Sequence, residues 1–191
     1  MTGRNRYEEA VAAVAATFIL AMLVHIAVVL LAPHVATNNA FARLAPNGRP
    51  NETVSLPPAG PSERMLPFAD PAVATAFCRY DLASGPIRVE APPGRSMSSI
   101  SFHTRYGLVY YALTDRAAVN GVVSAVLGTP ADLRALAAHD DQESPSRDLR
   151  VAAPAREGYV MIRVFSEFPS LYPAAEAEAK RLTCRPEPVP P

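Results

Sequence analysis

The feature that most constrains this chain is a run of twenty-three residues, Ala10 to Ala32, without a single Asp, Glu, Lys or Arg and followed at once by Pro33. As a helix rising about 1.5 Å per residue it would measure roughly 34 Å, enough to cross a hydrocarbon core of about 30 Å with some tilt. A helix satisfies its own backbone hydrogen bonds, which is the condition for residing in lipid. Two rivals fit less well. The apolar region of a cleavable signal peptide is shorter, about 7 to 15 residues, and the small-x-small tripeptide Ala40-Phe41-Ala42 lies well past the run. A buried core helix would need apolar neighbours able to surround a helix that is hydrophobic on every side, and no other segment offers them.

The run divides the chain. Residues 1–9 form a short polar tail with Arg4 and Arg6, and 10–32 the transmembrane helix. Residues 33–67 hold seven prolines in thirty-five residues with no sustained apolar period, and read as an extended or disordered spacer. Residues 68–185 are expected to fold as an extracytoplasmic domain, and 186–191 are a Pro-rich tail. Arginines before a span are held on the cytoplasmic side. The chain therefore reads as a single-pass protein of a bacterial inner membrane, N-terminus inside and domain in the periplasm. His25 is the only ionisable group within the span. Such a residue is either tolerated as a neutral imidazole or makes an intramembrane contact with a partner helix.

Within the domain, Asp70-Pro71 resembles a helix start, so a short helix is expected from Pro71 to Phe77. Alternating residues predict strands at 87–90 and 98–102, a third and more buried strand within 107–114, and further strands at 122–127, 149–152 and 159–165. Thr129-Pro130-Ala131-Asp132 is a strong helix start, with that helix running to about His139, and a last helix spans 172–182 with Leu171, Ala175, Ala179 and Leu182 inward. Short connections favour antiparallel pairing. The expected class is α+β, a mainly antiparallel sheet with two or three helices behind an N-terminal transmembrane helix.

Cys78 and Cys184 are the only cysteines and stand near the two ends of the predicted domain. Outside the cytoplasm they are expected to form a disulfide, whereas a redox or metal role would want a closer pair such as C-x-x-C. The formal charge is zero, with eighteen cationic and eighteen anionic side chains and no basic run, which disfavours nucleic-acid binding.

The stretches Asp70-Pro71-Ala72-Val73, Phe77-Cys78-Arg79-Tyr80-Asp81-Leu82, Gly85-Pro86-Ile87-Arg88-Val89, Thr129-Pro130-Ala131-Asp132-Leu133 and Glu157-Gly158-Tyr159-Val160 resemble the bacterial family catalogued as domain of unknown function 1254. The resemblance covers roughly residues 70–184. It implies a periplasm-facing, membrane-anchored protein, because short members of the family carry one N-terminal span. Longer members are fused to a second domain that this chain lacks, which implies a separate partner protein. The chain departs from the family's pattern at Ser98 to Ser101, where an aromatic residue is usual, and the family implies no catalytic residues.

Chemistry is sparsely signalled, and the sequence offers no cofactor motif. His103 and Asp115 could converge as base and orienter across a hairpin, with Ser99 or Ser101 as nucleophile, or they are simply a surface histidine and a turn aspartate. His139-Asp140-Asp141 could hold a cation through hard oxygens, or is a helix end running into a solvated loop. Tyr106, Tyr110 and Tyr111 could form an aromatic face for sugar or lipid, or pack in the core. The reading this supports is a binding or assembly module, with a membrane-protein partner or a second copy as its associate. The alternative is an enzyme acting on envelope carbohydrate or lipid.

Overall fold

The computed structural model of the chain describes residues 2–60, 65–66, 69–92, 94–119, 121–139 and 149–188. It divides into two units, residues 1–37 and 38–191.

The first unit is one helix, α1 (Thr2–Val35), apolar along most of its length and buried nowhere. Among the described residues it is the one helix long and apolar enough to cross a membrane. It starts earlier than the apolar run because the polar tail continues the same helix, and it ends later. Pro33 lies in the last turn, where one missing N–H and one displaced carbonyl do not stop the winding. His25 lies on this helix with its surface exposed.

The second unit is built on two sheets. After α2 (Ala40–Leu44) come β1 (Thr53–Ser55), β2 (Val73–Asp81), β3 (Ile87–Ala91), β4 (Ser98–Thr104), β5 (Val109–Thr114) and β6 (Val123–Gly128). The chain continues through α3 (Pro130–Ala138), β7 (Leu149–Ala152), β8 (Glu157–Phe165), α4 (Tyr172–Ala179) and β9 (Thr183–Pro186). One sheet has five strands in the order β1-β2-β8-β4-β5, all antiparallel; the other has four in the order β7-β6-β3-β9. In the smaller sheet only β6 and β7 run parallel, joined through α3. The α+β class and the mainly antiparallel pairing stand.

Alternation along the strands sets the core. Ala76, Cys78 and Tyr80 of β2, Ile100 and Phe102 of β4 and Val160 and Ile162 of β8 share one face of the larger sheet. They join Ile87, Val89, Ala125 and Leu127 of the smaller sheet in a single buried cluster. A disulfide links Cys78 of β2 to Cys184 of β9, with Cα atoms 6.5 Å apart, so it ties one sheet to the other. Helix α4 packs on β2 and β8 through Ala175 and Ala179, side chains small enough for close approach, with Leu182 buried after it. Leu171 is 47% exposed and does not join them as expected.

Several expectations are corrected. The segment 71–77 is not a helix: Asp70 Oδ1 accepts from Ala72 N at 2.8 Å, closing a turn from which β2 runs nine residues in register with β8. The segment 33–67 is not a free spacer. Asn39 caps α2 by accepting from Ala42 N at 2.9 Å, β1 pairs with β2, and Leu44 and Leu56 are buried with Phe77, Tyr159 and Met161 on the outer face of the larger sheet. That covering makes five consecutive residues of β8, Gly158–Ile162, buried on both faces. The strand expected at 107–114 begins at Val109 and is not the more buried one, because β5 is the end of its sheet. Pro186, expected in the tail, closes β9, and Glu187 beyond it forms a two-bond ion pair with Arg88 at 2.7 and 2.8 Å. Asp140 to Asp148, read as a charged loop, lies outside the described residues.

Candidate functional site

The outer face of the larger sheet gathers most of the polar chemistry. Ser101 and His103 are two residues apart on β4 and so project to the same face, opposite Met161 and Tyr159 of β8. His103 Nε2 lies 2.8 Å from Ser101 Oγ, and Nδ1 lies 3.5 Å from the Gly107 carbonyl. A carbonyl can only accept, so the tautomer that serves both contacts carries its proton on Nδ1 and accepts from the Ser101 hydroxyl at Nε2, with the Met161 carbonyl, 3.4 Å from Oγ, as the competing acceptor. Gly107 has φ of +84°, the left-handed turn geometry that turns its carbonyl back toward the ring. The imidazole stacks on the Tyr159 ring at 4.5 Å between centroids and 10° between planes.

Arg163 of β8 completes the group, its Nη1 donating to Ser101 Oγ at 3.3 Å. Across the ladder its neighbours are Thr75 of β2 and Ser99 of β4. Burial holds the His103 pKa below the ordinary imidazole value. The hydrogen bond to Gly107 works in the other direction, and the Arg163 charge adds to the lowering. Burial likewise raises Tyr159, with Arg163 opposing.

A serine hydroxyl on an imidazole nitrogen is the contact of a nucleophile and its base. Here both members are shut in: Ser101 is 6% and His103 5% exposed, and Arg163 already donates to the hydroxyl. Asp115 does not orient the histidine. It follows Thr114, whose partner Ser99 is four residues from His103 along β4, on the order of 13 Å at the rise of a strand. The three tyrosines do not form one face either. Tyr106 is in a turn under the Arg105 guanidinium, and Tyr111 meets Phe102 edge-on at 6.1 Å. Tyr110 turns inward, its hydroxyl 3.0 Å from that of Tyr80, which itself donates to the His103 carbonyl at 3.3 Å. Burial raises the pKa of both phenols. Among the described residues no three His, Cys, Asp or Glu side chains group as metal ligands; His139 is the cap residue of α3, and Asp140 and Asp141 lie outside the described residues.

Sequence reasoning found Ser101 and His103 but missed Arg163 and the open cleft beside it. That cleft, about 380 Å³, lies between α2, the turn at Ala69-Asp70 and strands β2 and β8.

The model of the family described as "Protein of unknown function (DUF1254)" matches residues 50–186. The chain belongs to the DUF1254 family. The match takes in β1 as well as everything from β2 to β9, in keeping with a domain that starts before Phe68. No curated protein matches. Among solved structures, this DUF1254 chain is similar to the VPA0106 protein from Vibrio parahaemolyticus, at 14% identity and a TM-score of 0.53 over 80% of this chain and 38% of that one. It also matches an uncharacterized protein from Burkholderia cenocepacia at 15% identity and a TM-score of 0.40, over 69% of this chain and 33% of that one. The first likeness shows the fold. The chain spans 38% and 33% of the length of these two solved chains.

Proposed function

We propose that this DUF1254 chain is a bacterial inner-membrane protein of single-pass topology whose periplasmic domain is an assembly module, docking an extended segment of a different protein along β5. The anchor is α1, with the N-terminus cytoplasmic, and a disulfide between the two sheets suits an oxidising compartment. His25 in the span would add a hydrogen bond to a partner helix.

The observation that carries the reading is the edge itself. Among the described residues β5 pairs with β4 on one side only, and its six residues, Val-Tyr-Tyr-Ala-Leu-Thr, include no proline and no charge. Val109 is 55% exposed, and Leu108 beside it 54%. Sheets that end in water are ordinarily protected by charge, proline, a bulge or a covering element; β5 has one register irregularity, opposite Phe102 and His103, and from Tyr111 to Thr114 it pairs regularly, which leaves an apolar edge as a template for another strand. The similar solved chain is about twice as long as this one, so the domain fold is also found alongside additional polypeptide.

The test is Leu108→Lys with Val109→Lys, two exposed positions where charge leaves the core untouched. The native mass of the complex extracted from membranes should fall to that of the isolated chain, with unfolding unchanged. An unaltered mass would remove β5 as the docking edge. A periplasm-dependent reporter fused after Pro191 should be active, and activity of a cytoplasmic reporter instead would overturn the topology.

The Ser101–His103 contact favours a second reading, an enzyme acting on envelope carbohydrate or lipid. The enzyme would be promoted by loss of cellular function in Ser101→Ala with fold, assembly and the position of the Arg163 side chain all intact.

A further inference from the structure

The cleft beside Arg163 does not depend on β5 and faces elsewhere on the sheet. Its walls are part apolar, with Leu66, Val73 and Met161, and part polar, and its volume of about 380 Å³ falls within the range of small-molecule sites. Arg163 lines it and is exposed, yet its guanidinium is not loose. Nη1 is fixed on Ser101 Oγ, and that hydroxyl is in turn fixed on His103, whose ring is held by Tyr159 and Gly107.

A buried hydroxyl–imidazole pair adds little to stability that apolar side chains of the same shape would not supply. What it does supply is a set direction for the one guanidinium that lines the cleft among the described residues, the arrangement of a binding group supported from behind. A guanidinium fork fits a planar carboxylate, and Thr75 lines the same cleft. Asp70 also lines it, with Oδ1 engaged by Ala72 N. A dianion such as a phosphate monoester would face that carboxylate, whereas one negative charge can sit on Arg163.

We infer that the cleft beside Arg163 binds a monoanionic carboxylate bearing a short aliphatic chain, the carboxylate on Arg163 and the chain along Leu66, Val73 and Met161. Arg163 is the binding residue; Ser101 and His103 are positioning residues that act through it.

The experiment uses the full chain in lipid nanodiscs, titrated with hexanoate and with hexanamide as its neutral counterpart, following the Arg163 Nε–Hε signal by NMR. Hexanoate should bind saturably and roughly tenfold or more tighter than hexanamide, as a charge-assisted pair requires. Arg163→Gln should remove that preference without changing thermal unfolding, and Arg163→Lys should restore only part of it because the fork is lost. Ser101→Ala should weaken hexanoate several-fold and shift the free-state Arg163 signal, a readout that a role in stability alone would not move. Absent or non-saturable binding, equal binding of acid and amide, or a preference retained by Arg163→Gln would overturn the inference.

Discussion

Gly158 of β8 lies directly beneath the His103 carbonyl, so close that a Cβ at Gly158 would overlap both that oxygen and the Tyr80 hydroxyl. Register explains the crowding: Gly158 pairs with Tyr80 of β2 on one side and with Thr104 of β4 on the other, and the Tyr80 phenol crosses β8 over Gly158 to reach the His103 oxygen. The residue is a glycine here for want of space.

Gly158→Ala should therefore destabilise the domain by about 3 kcal/mol, at the upper end for overpacking, because part of what it meets is backbone and cannot rotate away. Urea unfolding monitored by tyrosine fluorescence measures it. A loss under about 1 kcal/mol would mean that the three central strands adjust more freely than their packing indicates.

His103 gives the domain a pH dependence whose sign follows from its depressed pKa. The folded state favours neutral imidazole, so on acidification through the ordinary histidine range the unfolded chain binds more protons, and stability falls as pH drops from about 7 to 5. His103→Gln, which keeps an acceptor for Ser101, should flatten that slope. Thermal melts at pH 7 and pH 5 on the two proteins check it, and an equal slope in both would assign the effect to other groups.

The Cys78–Cys184 bond closes a separation of 106 residues and crosses from one sheet to the other. Both thiols should resist labelling in denatured, unreduced protein taken directly from cells. Replacing either with serine should cost about 2 to 5 kcal/mol, the usual loss for a native disulfide. Free labelling of both cysteines would contradict the bond.

How legible the fold was depended on whether its decisive contacts were local. The start of α3 was readable because its signal is complete within four residues: Thr129 N donates to Asp132 Oδ2 at 2.9 Å, and Thr129 Oγ1 accepts from Asp132 N at 3.3 Å. Asp70-Pro71 carries the same kind of signal, but an aspartate that closes a turn looks like one that caps a helix, and pairing with β8, more than eighty residues away, decides for the strand. Phe41, Leu44, Val54 and Leu56 were too widely spaced among prolines to show a period, although each packs on the same sheet face. β5 has the composition of a buried strand and is exposed only because the sheet ends there, a fact of strand order that its own residues do not carry. Arg163 alternates with Ile162 and Val164 as any solvent-facing residue would, and its partner Ser101 lies 62 residues earlier.

Whether β5 receives a strand from a different protein is read by crosslinking from that edge in living cells. A photoreactive amino acid at Tyr111, a residue 38% exposed, should give one discrete adduct with a second, non-identical polypeptide, and Leu108→Lys with Val109→Lys should abolish it. No adduct, an adduct only with a second copy of this chain, or an adduct indifferent to the two lysines would contradict docking at β5.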